Sequence, residues 1–379
     1  MPEISKLPVI REFPDPFLRE DGSRVTTPEE WRAHRATLIE ALLYWQYGHM
    51  PPPPPPSPGL PPSLKLWTTG RRTRENLRAV EETSEAVCDG LGVMRRATLV
   101  MGPEDQVRVR VAVFLPRDAA APSPVVLAVE PVWEEHLRPV ARRMLERGYG
   151  FAGFDRHDLD ADSPDRTDGV HPLYPDYDWA SLAVWAWGCM RVMDFLETVD
   201  GVDAAKVALT GHSRAGKTAL LAGALDERFA VVAPHASGTG GAGAYRVMGR
   251  GAETLALITS PDRFHYWFHS RLALFAGHED RLPFDQHFLK ALVAPRALIC
   301  IEGRDDLWAN PVGTQATTRA AQPVFDFLGT SGRNGLHIRP GGHDTTPEDW
   351  EILLDFANHV FRGAPDDPKF HTMPFPHDE

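Results

Sequence analysis

The fold is decided by KVALTGHSRAGKTALL, residues 206–221, a pattern typical of a strand, a tight turn and a helix. Ser213 lies at the apex of this turn, and the positions two before and two after it are small, Gly211 and Ala215. In such a nucleophile elbow the strained backbone leaves no room for larger side chains at those two positions. The usual second glycine is replaced by Ala215, which keeps the steric requirement. We therefore predict that Ser213 is a nucleophile.

The elbow is flanked on both sides by alternating strand-like and helix-like segments. Residues 125–129 form a short apolar run, typical of a strand buried on both faces of a mostly parallel sheet, and residues 107–113 alternate like a half-exposed strand. Further strands are expected at 149–154 and 297–301, and helices at 134–147, 179–198, 215–225 and 347–361. This order predicts an α/β fold, a doubly wound, mostly parallel sheet with helices on both faces in a three-layer sandwich.

The first ninety residues have a different character. A helix is expected over 28–47, and the proline-rich stretch 51–62 is expected to be extended polyproline II, because a residue before proline avoids the helical region. A stiff surface strap is the favoured interpretation; a ligand for an SH3-like domain, the alternative, lacks flanking basic anchors. We predict an N-terminal extension, 1–90, packed on a catalytic domain, 91–379.

The partners of Ser213 are expected later in the chain. In folds with this elbow the acid follows a later strand and the histidine precedes the last helix. Asp306 follows the 297–301 strand, with Asp305 as the alternative acid, and His343 follows two glycines just before the final helix. Each residue taken alone suits a helix cap or a turn equally well, but their joint order predicts the catalytic triad of an α/β-hydrolase.

Composition limits the partners. Of 379 residues, 40 are Lys or Arg and 52 are Asp or Glu, so the formal charge is -12 and no basic stripe exists for nucleic acid. Cys88, Cys189 and Cys300 are far apart, which argues against zinc and disulfides. No apolar run of membrane-spanning length occurs. We expect a monomer without metal or cofactor that binds neither nucleic acid nor membranes.

The cellular location is expected from the first residues. The N-terminus lacks the basic and apolar regions of a secretory signal. A cytoplasmic protein is expected, or an extracellular or periplasmic one if a natural signal peptide has been replaced.

Two patterns resemble metal sites. Aspartates alternate at 158, 160 and 162 and recur at 165 and 168, but the glycine and closing glutamate of a calcium loop are absent, so a solvated acidic surface loop is expected. His265 and His269 flank Trp267 without a suitably spaced carboxylate, and we place these three residues in a pocket wall or the core.

Several motifs resemble those of the glucuronoyl esterases, carbohydrate esterase family fifteen, in their bacterial form. They are GHSRAGK at 211–217, SGTGGAGAYR at 237–246, LPFDQH at 282–287, APR at 294–296, DLWANP at 306–311 and GGHD at 341–344. DGSRVTTPEEW at 21–31 and YGHMP at 47–51 resemble the opening of bacterial members, so the likeness covers nearly the whole chain.

The resemblance implies roles for individual residues. Ser213 would be the nucleophile, His343 the base and Asp306 the acid, with Arg214 contributing to the oxyanion hole. Lys217, Glu253 and Trp308 would contact sugar hydroxyls, and Trp267 is also placed in the substrate pocket. An arginine suits the oxyanion hole because Pro131, in the loop that ordinarily supplies a backbone donor, has no N–H. The alternatives are an elbow salt bridge for Arg214, a helix-surface charge for Lys217 and a core position for Trp308.

The chain departs from the family pattern at two positions. Many members carry their acid as a glutamate before the SerGly of SGxGG, where this chain has Ala236. The cysteine of fungal elbows is replaced by His212. The acid therefore depends on Asp306 alone, as in some bacterial members.

The resemblance implies a serine esterase that hydrolyses esters of glucuronic acid through an acyl-enzyme. An acetyl xylan esterase or a broad carboxylesterase on small esters is the first alternative, because all of these substrates suit the same triad. A non-catalytic carbohydrate-binding homologue is the second. Lignin–xylan esters lie outside the cell, so a cytoplasmic enzyme would act on imported oligosaccharide esters.

Overall fold

A single mixed sheet organises the part of the chain that the computed structural model describes, residues 4–51, 77–102 and 106–376. Its strands, numbered in chain order, are β1 (Arg78–Val87), β2 (Gly92–Met101), β3 (Val107–Pro116), β4 (Ser123–Ala128), β5 (Gly150–Phe154), β6 (Val202–His212), β7 (Phe229–His235), β8 (Ala297–Gly303) and β9 (Asn334–Arg339). They lie in the order β1-β2-β3-β5-β4-β6-β7-β8-β9. The pairs β1–β2, β2–β3 and β3–β5 are antiparallel. The pairs β5–β4, β4–β6, β6–β7, β7–β8 and β8–β9 are parallel.

Helices cover both faces of this sheet. They are α1 (Pro28–Leu42), α2 (Arg138–Glu146), α3 (Ser181–Leu196), α4 (Arg214–Leu225), α5 (Leu255–Ile258), α6 (His287–Val293), α7 (Pro311–Phe327) and α8 (Pro347–Arg362). Helices α2 and α8 cover one face, and α1, α3, α4, α6 and α7 pack on the other. The predicted three-layer α/β-hydrolase fold is confirmed.

Strand β4 shows how the sequence produces these layers. All six of its residues are buried, and it pairs in parallel with β5 and β6. Because successive side chains point to opposite faces, Val125 and Leu127 join the core under α3 and α4, while Val126 and Ala128 pack under α2 and α8. A continuous apolar run is therefore needed here rather than an alternating one.

The N-terminal segment packs on the α3 side of the sheet. Trp31 and Leu38 of α1 belong to the same core as α3 and α4, and a π-helical turn, Leu43–Tyr47, continues α1. Strand β1 precedes the predicted boundary at residue 90 and forms an edge of the sheet. The division of the chain at that boundary stays a prediction. The predicted polyproline strap at 51–62 falls almost entirely outside the described residues.

No helix among the described residues combines the length and apolarity that crossing a bilayer requires. Within the same residues, no cluster of three or more histidine, cysteine, aspartate or glutamate side chains is arranged to hold a metal ion.

Candidate active site

Ser213 occupies a sharp turn between β6 and α4. Its backbone has φ 57° and ψ -120°, a strained conformation for a residue with a Cβ, and its N–H donates to the carbonyl of His235 over 2.9 Å. The hydrogen bond ties the turn to the end of the neighbouring strand β7. The elbow geometry expected from residues 206–221 is present, and the side chain is only partly buried.

The small residues around Ser213 are required by close packing. A Cβ on Gly211 would lie 2.3 Å from the carbonyl oxygen of Ala215 and 3.0 Å from its Cβ. A Cβ on Gly216 would lie 2.8 Å from the carbonyl oxygen of Gly211. Ala215 itself is buried, so alanine satisfies the demand for a small residue two positions after the serine.

His343 and Asp306 meet at the carboxyl edge of the sheet. Nδ1 of His343 donates to Oδ2 of Asp306 over 2.6 Å, and Oδ1 of Asp306 accepts from the N–H of Ala309 over 3.2 Å. The Asp306 side chain is 3% exposed and the His343 side chain 42%. A buried carboxylate can therefore orient the imidazole of an exposed histidine side chain.

Asp305, the alternative acid, has a different partner. Its Oδ2 accepts from the N–H of Gly341 over 3.0 Å, and its own N–H donates to the Gly341 carbonyl over 2.9 Å. Asp305 therefore anchors the loop before His343, whereas Asp306 contacts the imidazole itself.

The guanidinium of Arg214 is held beside the elbow by Asp162. Nη1 of Arg214 donates to Oδ2 of Asp162, whose Oδ1 accepts from Nε1 of Trp267 over 2.7 Å. The guanidinium carbon also lies 5.3 Å from the centre of the Trp267 ring. The salt bridge considered as an alternative for Arg214 is thus present, but the side chain is still 40% exposed. A guanidinium has five N–H donors, so others remain for a substrate oxygen.

Asp160 and Asp162 contradict the expectation of a solvated acidic loop. Asp160 is 1% exposed; its Oδ2 lies 2.7 Å from Nε2 of His171 and accepts from the hydroxyl of Ser181 over 2.9 Å. Asp162 holds Arg214 as described. The prediction was wrong at these positions because their partners lie on distant segments that the local acidic pattern does not reveal.

Lys217 and Glu253 form a buried ion pair behind the elbow. Nζ of Lys217 donates to Oε1 of Glu253 over 2.7 Å and to the carbonyl of Thr239 over 2.6 Å, and both side chains are less than 5% exposed. Gly238 has to lack a side chain, since a Cβ there would lie 2.2 Å from Oε1 of Glu253. The helix-surface alternative for Lys217 is wrong.

Trp308 and Trp267 differ in exposure. Trp308 is 40% exposed and its carbonyl accepts from the N–H of Glu253 over 3.0 Å, so the core alternative for Trp308 is wrong. Trp267 is 4% exposed and stacks on Phe264 with ring centres 4.0 Å apart. Trp308 is therefore available to a ligand, whereas the buried ring of Trp267 contacts the guanidinium of Arg214. Sugar contacts by either residue stay predictions.

The sequence did not point to His212 as a partner of the base. Its Nε2 donates to the carbonyl of His343 over 2.6 Å, and the two ring centres are 4.6 Å apart. Burial, together with the nearby imidazole of His343, lowers the pKa of His212. Its position before Ser213 was the one available signal. Ala236 has a methyl side chain, so the acid position of many family members cannot function here.

Known proteins resemble this chain over most of its length. The family model described as "Glucuronyl esterase, fungi" matches residues 100–329. Carbohydrate esterase MZ0003, from an unknown prokaryotic organism, is 30% identical over 93% of this chain and 90% of its own. A 4-O-methyl-glucuronoyl methylesterase of Schizophyllum commune is 27% identical over 92% of this chain and 81% of its own.

Solved structures are similar as well. A family 15 glucuronoyl esterase from Caldicellulosiruptor kristjansonii is 28% identical with a TM-score of 0.77, covering 100% of this chain and 98% of that one. A promiscuous family 15 esterase from a marine bacterial metagenome is 28% identical with a TM-score of 0.78, covering 94% and 99%.

The fold and the site together define a carboxylic ester hydrolase of the α/β-hydrolase type. The matched family model spans more than half of the chain. The protein belongs to the glucuronoyl esterase family, carbohydrate esterase family 15, and the resemblance seen in its motifs is confirmed.

Proposed function

We propose that this protein hydrolyses esters of glucuronic acid, including its 4-O-methyl form, and releases the esterifying alcohol. The observation that carries the proposal is the Asp306–His343 pair at the edge of the sheet that holds the Ser213 elbow. We propose glucuronic acid as the acyl group because the relative in Schizophyllum commune is named a 4-O-methyl-glucuronoyl methylesterase.

The proposed reaction uses three side chains. His343 accepts the proton of the Ser213 hydroxyl as that oxygen attacks the ester carbonyl, and later delivers it to the leaving alcohol. Asp306 keeps the hydrogen of the neutral imidazole on Nδ1 and stabilises the charged ring. Water then hydrolyses the acyl-enzyme, with His343 acting again as the base.

Arg214 is proposed to stabilise the oxyanion. Its guanidinium stands one residue after Ser213 and is held by Asp162. A preorganised charged donor is most effective when it is already aimed at the developing negative charge.

Lys217, Glu253 and Trp308 are proposed to recognise the sugar. These roles are carried over from the family resemblance, and the buried ion pair is joined to Trp308 by the hydrogen bond from the N–H of Glu253 to the Trp308 carbonyl. Trp308 adds an exposed ring beside them.

A broad carboxylesterase or acetyl xylan esterase is the second candidate. The triad accepts any acyl group, and the similar marine enzyme is described as promiscuous. A non-catalytic carbohydrate-binding protein is the third, and labelling of Ser213 by an organophosphonate would exclude it.

The test is a paired comparison of kcat/KM on methyl glucuronate and on xylose acetate, both esters of unactivated alcohols, with Ser213→Ala as the blank. Preference for the uronate ester is expected, and Ser213→Ala should lower kcat by more than about 10^4-fold. Preference for the acetate would replace the substrate and keep the mechanism. Turnover of both esters at wild-type rates by Ser213→Ala would overturn the nucleophile. The apparent mass in size-exclusion chromatography tests the predicted monomer, which should elute at the mass of one chain.

A further inference from the structure

The loop that carries His343 needs external anchors. Gly341 has φ +98°, a conformation that favours glycine, and no atom lies within 4 Å of the position that a Cβ would take on Gly342. Asp305 anchors the Gly341 backbone and Asp306 anchors the imidazole. Neither of these contacts fixes the peptide of His343 itself.

His212 supplies this missing contact. Its Nε2 lies 2.6 Å from the carbonyl oxygen of His343, which can only accept, so the hydrogen is on Nε2 of His212. The two rings lie at 52° to one another, with centres 4.6 Å apart. The contact joins segments 131 residues apart in the chain.

The surroundings keep the backbone of His212 in place. His212 is the last residue of β6 and is paired with His235 of β7 in the parallel register of the sheet. The ring of His235 lies 5.1 Å away on the neighbouring strand. A residue fixed in this way can act as a rigid support for the loop.

We propose that His212 is a positioning residue of the esterase, which sets the distance between the nucleophile and the base. His212 is bonded covalently to Ser213 and by hydrogen bond to the peptide of His343, so one side chain spans the two reacting residues. A displacement of about 1 Å between such groups costs about 100-fold in rate. The inference concerns the triad and does not depend on which ester is the natural substrate.

A cavity beside His212 makes it possible to test the Nε2–H donor of His212 separately from the space that its imidazole ring fills. The cavity has a volume of about 320 Å³ and is lined by His212, His235, Glu130, His136 and Thr345, among others. Truncation of His212 would enlarge it by the space of an imidazole ring. A small donor added to the solution could then occupy the position of the missing side chain.

The first experiment compares two amides at position 212. The nitrogen of glutamine reaches the place of Nε2, whereas the nitrogen of asparagine reaches only the place of Nδ1. His212→Asn should lower kcat about 10- to 100-fold with KM within about twofold, and His212→Gln should stay within about threefold of wild type. His136→Ala, which removes another imidazole from the cavity wall, is the control and should leave both constants unchanged. Equal losses in the Gln and Asn variants, or none in either, would overturn the proposal.

The second experiment is chemical rescue of His212→Ala. Imidazole should restore part of kcat, while N-methylimidazole, which lacks an N–H, should not. Ser213→Ala with the same additives measures their own reaction with the ester. Equal rescue by both additives would show that filled space is sufficient and would contradict the role of the donor.

The third experiment uses the wild-type protein and requires no activity. A ¹⁵N-histidine spectrum, with His212 assigned by difference from His212→Gln, should show the neutral Nε2–H tautomer near pH 7. The Nδ1–H tautomer would leave Nε2 without a hydrogen and overturn the proposal whatever the kinetics of the variants. Both kinetic tests are run on methyl glucuronate and on p-nitrophenyl acetate, so a wrong substrate assignment is distinguished from a wrong role for His212.

Discussion

Oδ2 of Asp306 lies 2.6 Å from Nδ1 of His343, and this contact distinguishes two adjacent aspartates that the sequence left as alternatives. Both follow β8, but the carboxylate of Asp305 accepts from the backbone of Gly341 instead. One aspartate orients the base, and its neighbour holds the loop that carries the base.

Asp306→Asn should lower kcat about 10^3- to 10^4-fold, because an amide does not stabilise the charged imidazole and disturbs its tautomer. Asp305→Asn is the matched control and should stay within about threefold of wild type, since its amide oxygen can still accept from Gly341. Steady-state kinetics on both variants checks this. A larger loss in the Asp305 variant would transfer the acid to that residue.

Asp162→Asn should lower kcat about tenfold with little change in KM, because Arg214 loses its charged partner and is less well aimed at the oxyanion. Asp165→Asn, on the same loop but exposed and bonded to Thr167, is the control and should behave as wild type. An unchanged kcat in the Asp162 variant would show that the salt bridge does not position Arg214 for catalysis.

Lys217→Met should lower the free energy of unfolding by about 3 to 5 kcal/mol, because Glu253 would remain as an unpaired buried charge. The double variant Lys217→Met, Glu253→Gln should recover part of that loss. Urea unfolding of the two single variants and the double variant measures the coupling. If the change in the free energy of unfolding of the double variant equals the sum of the two single changes, the two charges do not stabilise each other.

His287 should make the protein less stable in acid. Burial lowers the pKa of its imidazole to about 3, and Nε2 donates to the carbonyl of Pro14 over 2.7 Å. The unfolded chain takes up a proton below about pH 6.5 and the folded chain does not, so stability falls as the pH falls from about 6.5 to 3.

The contribution of His287 to this loss should be about 2 to 3 kcal/mol at pH 4.5. His287→Gln keeps a donor for Pro14 and removes the titration, so its stability should depend less steeply on pH in this range. Urea unfolding at pH 7 and pH 4.5 checks the difference. Equal pH dependence in both proteins would contradict the assignment.

The sequence predicted several elements whose pattern is local, but not β7 or α7. Strand β4 and helix α8 were expected at 125–129 and 347–361, and lie at Ser123–Ala128 and Pro347–Arg362. Strand β9 was missed because NGLHIR combines asparagine and glycine with a short apolar stretch and lacks clear alternation. Its pairing with β8, rather than its own propensity, makes it a strand.

By itself, the sequence determined the elbow and the order of serine, aspartate and histidine along the chain. The elbow depends on steric limits within a few residues, such as the contact of Gly211 with Ala215, and these limits are visible in the sequence. Only the tertiary structure decided which aspartate meets His343 and that His212 holds the same loop. Those contacts arise because the carboxyl ends of β6 and β8 meet at one edge of the sheet, which depends on strand order rather than on local residues.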